Sequence, residues 1–397
     1  MTATILYPFV GTDFIGGSHV SALIVAAHLD RARFRPVILL HGDAGRLGSY
    51  IRSQGLDYEQ LPDVPIMAPA YSHRRGNASI GRYLSHTLWA LRRVVRQTGA
   101  AIVHTNDGRM HANWSLPACL GGARHLWHHR EDPTSRGANL IAPLLADRML
   151  CVSHFSVPPR AAHALGPRLE VVRSPFVFPS ASPDRTAERA ALLAEIKAPR
   201  DAVMVGYVGG LIERKRPGFF VQVVHQACMA LPEREVHGVL FGEVDQPGSS
   251  VDETVRARAS ALGIGHRVHL LGHRAPIAGP MAALDVLVVT ALNEPFGRTL
   301  IEAMDLRVPV VATCHGGNVE AITDGVSGFL VPPDDAEAFA RRIAQLARDP
   351  VSRQAITSTA HQLVHGEFGL ERSVSGVERS YEELLGRPGW QTHGEVA

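Results

Sequence analysis

The stretch Leu284-Asp285-Val286-Leu287-Val288-Val289-Thr290, followed by Glu294-Pro295-Phe296-Gly297-Arg298-Thr299-Leu300-Ile301-Glu302-Ala303-Met304, decides how this chain is read. Its first part is short, apolar and β-branched, which predicts a buried parallel strand, and Thr299 to Met304 reads as helix. Asn293 to Arg298 is then a strand-to-helix loop, in which Gly297 removes a side chain where the chain turns. The first amides of a helix lack internal partners and sit at its positive dipole end, so an anion fits beyond the carboxyl end of the strand. Glu302 lies about one turn into the helix. Helical side chains lean towards the N-terminus, so its carboxylate reaches back to the mouth of that site and suits vicinal ribose hydroxyls. Glu294, before the helix, suits sugar hydroxyls. Taken alone, the two glutamates fit a solvated helix face and a dipole contact equally well.

Working outward, strand-like runs alternate with helical patterns over nearly the whole length, which predicts an α/β protein with parallel sheets covered by helices on both faces. Strands are expected at 5–9, 36–40, 101–105, 125–129, 148–152 and 169–173, and in the second half at 203–208, 237–241, 268–271, 286–290, 310–312 and 328–331. Between the halves, Pro175, Pro179, Ser180, Ser182 and Pro183 form a proline- and serine-bearing stretch, followed by a charged helix and Pro199. This marks a boundary between two doubly wound domains, expected at 1–180 and 198–376.

The chain of 397 residues carries a formal net charge of +2, too little to argue for a nucleic-acid partner. Cys119, Cys151, Cys228 and Cys314 are scattered without CxxC spacing, so neither a disulfide framework nor a thiolate metal site is expected. The N-terminus enters a strand-like run directly, without the pattern of a signal peptide, and no stretch approaches the roughly 18 apolar residues of a spanning helix. A cytoplasmic protein, at most peripheral at the inner membrane face, is expected.

The motif continues through Pro309-Val310-Val311-Ala312-Thr313, Gly316-Gly317, Glu320, Asp324-Gly325 and Gly328-Phe329-Leu330-Val331-Pro332. This order closely resembles the donor-site signature of the large retaining family of GT-B glycosyltransferases (glycosyl transferase group 1, family 4), a glutamate, seven residues, then a second glutamate. The resemblance implies two Rossmann-like doubly wound domains facing a central cleft, with the terminal helix, about 377–397, returning to the first. It implies Glu294 as the sugar-contacting glutamate and Glu302 as the ribose-binding one, with the amides of Phe296, Gly297 and Arg298 on the distal phosphate. One departure is Asp305-Leu306-Arg307, where small residues and glycine are usual before Pro309.

Three further stretches carry chemistry. After the first strand, Gly11-Thr12-Asp13-Phe14-Ile15-Gly16-Gly17-Ser18-His19 opens a helix with Ser18 as its expected N-cap. The spacing is not the GxGxxG dinucleotide fingerprint. Gly16 and Gly17 suit either a tight turn or a close ligand approach, and the resemblance places them facing the donor. Val208-Gly209-Gly210-Leu211-Ile212-Glu213-Arg214-Lys215-Arg216 combines a glycine-lined loop with cations suited to a diphosphate, though a surface charge run looks the same. Lys215 matches the family's lysine, while Gly210 stands where the family has arginine, so Arg298 or Arg214 is expected to supply that charge. The strand ending Trp127-His128-His129 puts a histidine at its carboxyl end. The resemblance favours His128 near the reacting carbon, with His129 second, while packed or surface roles stay open. His125 and His129 lack helical metal-ligand geometry, and no metal site is expected.

Finally, 73–99 carries Arg74, Arg75, Arg82, Arg92, Arg93 and Arg96 beside Tyr83, Leu84, Leu88, Trp89 and Leu91, a pattern fitting a core-facing helix or a contact with anionic lipid. The resemblance implies a metal-independent hexosyltransferase with no cofactor, whose co-substrate is a nucleotide diphosphate sugar. Its expected catalytic residues are Glu294, His128 and Lys215, and its acceptor is a glycan, a lipid-linked saccharide or a small aglycone. The rival readings are a nucleotide-sugar epimerase of the same architecture and a non-catalytic scaffold subunit.

Overall fold

The computed structural model describes residues 2–13, 15–61, 64–67, 78–179, 181–244 and 249–386. The chain folds as two compact units, one formed by residues up to Phe176 together with the chain from Leu370, the other by Val177–Gly369. His73, Arg74, Arg75, Ser180 and the tail from 387 lie outside the described residues.

The first unit is built on strands β1 (Ala3–Val10), β2 (Phe34–His41), β3 (Tyr58–Leu61), β4 (Ala100–Thr105), β5 (Arg124–His129), β6 (Arg148–Cys151) and β7 (Leu169–Val171). All pair in parallel in the order β3-β2-β1-β4-β5-β6-β7. Ile5, Leu6, Tyr7 and Phe9 on β1 are wholly buried, as a central parallel strand covered on both faces requires. The C-terminal helix Leu370–Leu385 belongs to this unit and packs Val374, Val377, Tyr381 and Leu384 into its core beside Tyr7 and Phe34. Their spacing of three, four and three residues makes one helical stripe. Buried Arg148 on β6 fixes that helix by donating to Ser380 Oγ (3.1 Å) and to Glu383, and it also reaches Glu170 (2.8 Å).

The second unit holds β8 (Val203–Val208), β9 (Val236–Phe241), β10 (Val268–Leu270), β11 (Val286–Val289), β12 (Val310–Thr313) and β13 (Phe329–Val331), ordered β10-β9-β8-β11-β12-β13. In each sheet the chain order reverses beside the first strand, between β1 and β4 and between β8 and β11. That is the switch point at which open parallel sheets leave a crevice beyond their carboxyl ends.

Two local expectations need correction. The helix after β1 begins at Gly17, one residue before Ser18, so extended Gly16 (φ −91°, ψ 168°) is its N-cap and Ser18 falls inside the first turn. Tyr58–Leu61 adds an edge strand where none was expected. Within 73–99, the described part is a helix from Ile80 to Gln97 with a π-helical turn at Tyr83–Thr87. It buries Tyr83, Leu88, Leu91 and Val95, while Ile80, Leu84 and Trp89 stay exposed. Among the described residues no helix is long and apolar enough to cross a membrane.

Candidate functional site

In the second unit the loop after β8 is held first by its backbone. Gly209 has φ +146° and donates to the Phe241 carbonyl (2.9 Å), and Leu211 donates to that of Glu243 (2.8 Å). A Cβ on Gly242 would stand 2.0 Å from the Gly209 carbonyl oxygen, so the two loops touch backbone to backbone. Lys215 lies over this glycine: a Cβ on Gly209 would meet its Nζ at 2.6 Å. Gly210 follows, its carbonyl accepting from the Tyr207 hydroxyl (2.9 Å). Thr290, just past β11, donates from Oγ1 to the Lys215 and Arg216 carbonyls (2.8 and 3.2 Å), which ties the lysine's turn to the neighbouring strand.

The motif loop is clamped in the same way. Asn293 adopts φ +51° and donates its N–H to His315 Nδ1 (3.2 Å). Gly317 donates to the Glu294 carbonyl (2.7 Å), and a Cβ on it would stand 2.4 Å from the Pro295 carbonyl oxygen. Phe296 is buried against Phe368 with centroids 5.4 Å apart, so only its backbone faces outward chemistry. Gly297 caps the helix Arg298–Asp305, whose Leu300, Ile301, Ala303 and Met304 are buried. Asn318 donates to the Thr313 carbonyl (3.0 Å), leaving its buried Oδ1 unpaired 3.4 Å from where a Gly297 Cβ would lie.

The clash at Gly317 can be separated from backbone strain. Gly325 sits at φ +72° with nothing within 4 Å of an added Cβ. Gly325→Ala is expected to cost about 1–2 kcal/mol in denaturant unfolding and leave turnover intact. Gly317→Ala must displace 294–297 and is expected to lower kcat/KM by about 10²-fold. Equal kinetics for both variants would show that the clamp does not position the motif.

Charges concentrate on the two glutamates. Arg214 Nη1 is 2.8 Å from Glu294 Oε2. Burial opposes ionisation of Glu294, but Lys215 and then Arg214 outweigh it and hold the carboxyl below its ordinary value. Arg298 Nη2 is 3.5 Å from Glu302, one turn along the helix. An arginine in the first helical position opposes the helix dipole, a conflict that a bound anion would relieve. The second unit thus gathers Lys215, Gly210, Glu294, Phe296, Gly297, Arg298 and Glu302 around its own switch point, whereas Gly16, Gly17 and His128 belong to the first.

At the first unit's switch point, Gly16 donates its N–H to His19 Nδ1 (3.2 Å), and Gly17 is exposed. His128 and His129 are both buried at the end of β5. Arg130 can only donate, and its Nη2 lies 3.1 Å from His128 Nδ1, so that nitrogen is an acceptor and the proton sits on Nε2. His104 Nε2 donates to the same Nδ1 (3.1 Å), and His104 Nδ1 in turn accepts from the Tyr381 hydroxyl (2.6 Å), which contacts that of Tyr7. The chain of donors leaves His128 Nε2–H buried and unpaired. Burial, and then Arg130, holds His128 well below the ordinary histidine value, so it is a neutral donor. His129 is turned elsewhere, its Nε2 donating to the Asp132 carbonyl (3.1 Å), and His125 reaches Thr105 (2.9 Å), so these two histidines are not brought together. Sequence reading missed the pair Asp107 and Glu131. Burial raises both carboxyls, and Asp107 raises Glu131 further, while Glu131 accepts from the Gly108 N–H (3.1 Å) and Asp107 from that of Met110 (3.0 Å).

Residues 202–349 match the family model described as glycosyl transferases group 1. The lipopolysaccharide core biosynthesis glycosyltransferase LpsE of Rhizobium meliloti is 31% identical over 192 residues, covering 48% of this chain and 52% of that protein. The D-inositol 3-phosphate glycosyltransferase of Corynebacterium urealyticum is 31% identical over 192 residues, covering 48% of this chain and 45% of its own. The chain thus spans about half the length of the curated relatives it matches. Among solved structures, Anabaena Alr3699/HepE in complex with UDP and glucose superposes with a TM-score of 0.78 at 19% identity, over 95% of this chain and 99% of that one. Sucrose-phosphate synthase from Thermosynechococcus elongatus gives 0.71 at 19% identity, over 96% and 99%. At that identity the likeness concerns the fold, which is GT-B.

Proposed function

We propose that this chain, a group 1 glycosyl transferase by the match of residues 202–349 and GT-B in fold, moves a hexosyl group from a nucleotide diphosphate sugar to an acceptor hydroxyl with retention at the anomeric carbon. The observation that carries this reading is the clamped loop from Glu294 to Arg298 opening a helix beside Lys215 at the switch point of the second sheet. On this reading the amides from Phe296 to Arg298, with Lys215, meet the charge that grows on the leaving diphosphate. Glu302 accepts from the ribose and Glu294 orients the sugar. Within the first unit, His128 holds a neutral imidazole N–H, a group suited to an oxygen that gains charge. Relatives named for lipopolysaccharide core and inositol phosphate glycosylation support a hydroxyl acceptor.

The test is a panel of nucleotide sugars scored by thermal stabilisation and by release of nucleoside diphosphate. Failure of every donor on both counts sinks the reading, and conversion of donor without acceptor identifies an epimerase. Covalent trapping of a glycosyl group on Glu294 would refute same-face displacement within an ion pair.

Gly210 leaves one cation missing from the phosphate clamp, and Arg298, the first residue of the helix that Gly297 caps, is the better placed replacement, while Arg214 pairs with Glu294 at 2.8 Å. Arg298→Ala is expected to raise the donor dissociation constant about 10–100-fold, the worth of a charge-assisted hydrogen bond, and Arg214→Ala markedly less. Equal indifference of both variants counts against the assignment. Membrane contact belongs to the same proposal, through exposed Ile80, Leu84 and Trp89 among the arginines of their helix. Flotation with anionic vesicles at low salt checks it, and absence of binding removes it.

A further inference from the structure

We propose that Asp305, His361 and His365 form a site for one divalent transition-metal ion, with Zn²⁺ the best-suited occupant, joining the carboxyl end of the helix Arg298–Asp305 to the helix Pro350–Glu367. One nitrogen from each imidazole and one carboxylate oxygen lie within 4.8 Å of one another. His365 Nε2 is 2.8 Å and His361 Nδ1 3.8 Å from Asp305 Oδ1. A metal held at about 2.0–2.2 Å from each ligand needs those atoms no more than about 4 Å apart, a closure within reach of small side-chain rotations. His361 and His365 are four residues apart and so share one helix face.

The surroundings favour a cation. Asp305 is the last residue of its helix, and His361 and His365 occupy the last two turns of theirs, so two negative dipole ends converge on the three ligands. Two neutral imidazoles and one carboxylate form a nitrogen and oxygen set that suits zinc, with a further position for water, since the His365 side chain is 44% exposed. The Phe178 ring lies 4.3 Å from that of His365 and steadies it. As the side chains stand, His361 Nδ1 is 2.8 Å from the Asp305 carbonyl oxygen and donates to it. Ligation through that nitrogen releases the carbonyl, with the imidazole proton carried on Nε2 instead.

The rival account is that the histidines merely cap a helix end by hydrogen bonding. Titration of the full chain, stripped by chelator, with ZnCl₂ separates the two. Loss of a mere supporting partner weakens metal sites about 10–100-fold, so Asp305→Asn, His365→Gln and His361→Gln are each expected to weaken one saturable site by at least that factor. Circular dichroism checks that each variant is folded. Independently, Co²⁺ added to the parent protein should give d–d bands without thiolate charge transfer, because the exposed Cys119 and Cys314 are no part of the site. The proposal is overturned if the parent shows no saturable site, if the triple variant binds as the parent does, or if the Co²⁺ spectrum is thiolate in character.

Discussion

Glu294→Gln is expected to lower kcat by about 10²–10³-fold while leaving the apparent affinity for the donor unchanged or tighter. The two effects have opposite sign because of what surrounds the carboxylate. Glu294 is ion-paired with Arg214 at 2.8 Å and lies in the field of Lys215, which lowers its carboxyl below the ordinary value. Removing the negative charge frees two cations for the diphosphate, which favours ground-state binding. The same change removes the acceptor that fixes the sugar hydroxyls, and that interaction counts most where the sugar flattens towards an oxocarbenium ion. A loss in kcat without a rise in KM is the signature of an interaction made in the transition state. Glu302→Gln should behave otherwise. A ribose contact is made equally in the ground and transition states, so KM rises and kcat holds. Steady-state kinetics on the two variants, side by side, decide the matter, and a Glu294→Gln enzyme within tenfold of the parent kcat would exclude the proposed role.

Why these residues could be picked out, and others could not, follows from how locally each is specified. The strands from β8 to β13 are mostly apolar, interrupted by His237 and Gly238 in β9 and His269 in β10, and all six lie where the sequence pattern predicts them. Tyr58–Leu61 was invisible because an edge strand of Tyr-Glu-Gln-Leu, with Glu59 and Gln60 exposed, has neither an apolar run nor clean alternation. The cap lies at Gly16, two residues before Ser18, as helix starts do when a glycine can take the extended cap conformation first. The glycines at 316 and 317 announce themselves in sequence, but their purpose does not: they lie on the backbone of Glu294 and Pro295, about twenty residues away. Longer range hides more. Tyr381 meets His104 across 277 residues, and Asp107 meets Glu131 only because β4 and β5 are neighbours. His361 and His365 did carry a local signal, two histidines four apart in a helical stretch, but the carboxylate completing the cluster comes from the far end of the motif helix.

The unit carrying β1 to β7 is expected to unfold in mild acid, well before the other unit. Burial is the first cause that lowers His41, His125 and His129 from 6.5 to about 4, and it also holds His104, His111 and His128 well below the ordinary value. The unfolded chain takes up these protons near 6.5 while the folded unit resists them until about 4, so between those values the unfolded state binds more protons. Stability is therefore complete above pH 6.5 and is lost as the pH falls towards 4. Each of the first three histidines contributes about 3 kcal/mol over that window, and together they reach on the order of 10 kcal/mol, comparable to a domain's whole stability. In the second unit His269 is lowered in the same way, to about 4, chiefly by burial. Tryptophan reports the difference directly, because none lies between 177 and 369 while Trp114 and Trp127 are buried in the first unit, the latter stacked on His111 at 4.0 Å. Tryptophan emission should shift to the red between pH 6 and 4, ahead of the loss of far-ultraviolet ellipticity from the second unit. His41→Gln should move that midpoint to lower pH, since the glutamine oxygen can replace Nε2 as acceptor for the Trp114 indole N–H (2.9 Å) without titrating. Emission that stays constant down to pH 4, or a single transition shared by both probes, would mean that the buried histidines do not set the acid limit of this fold.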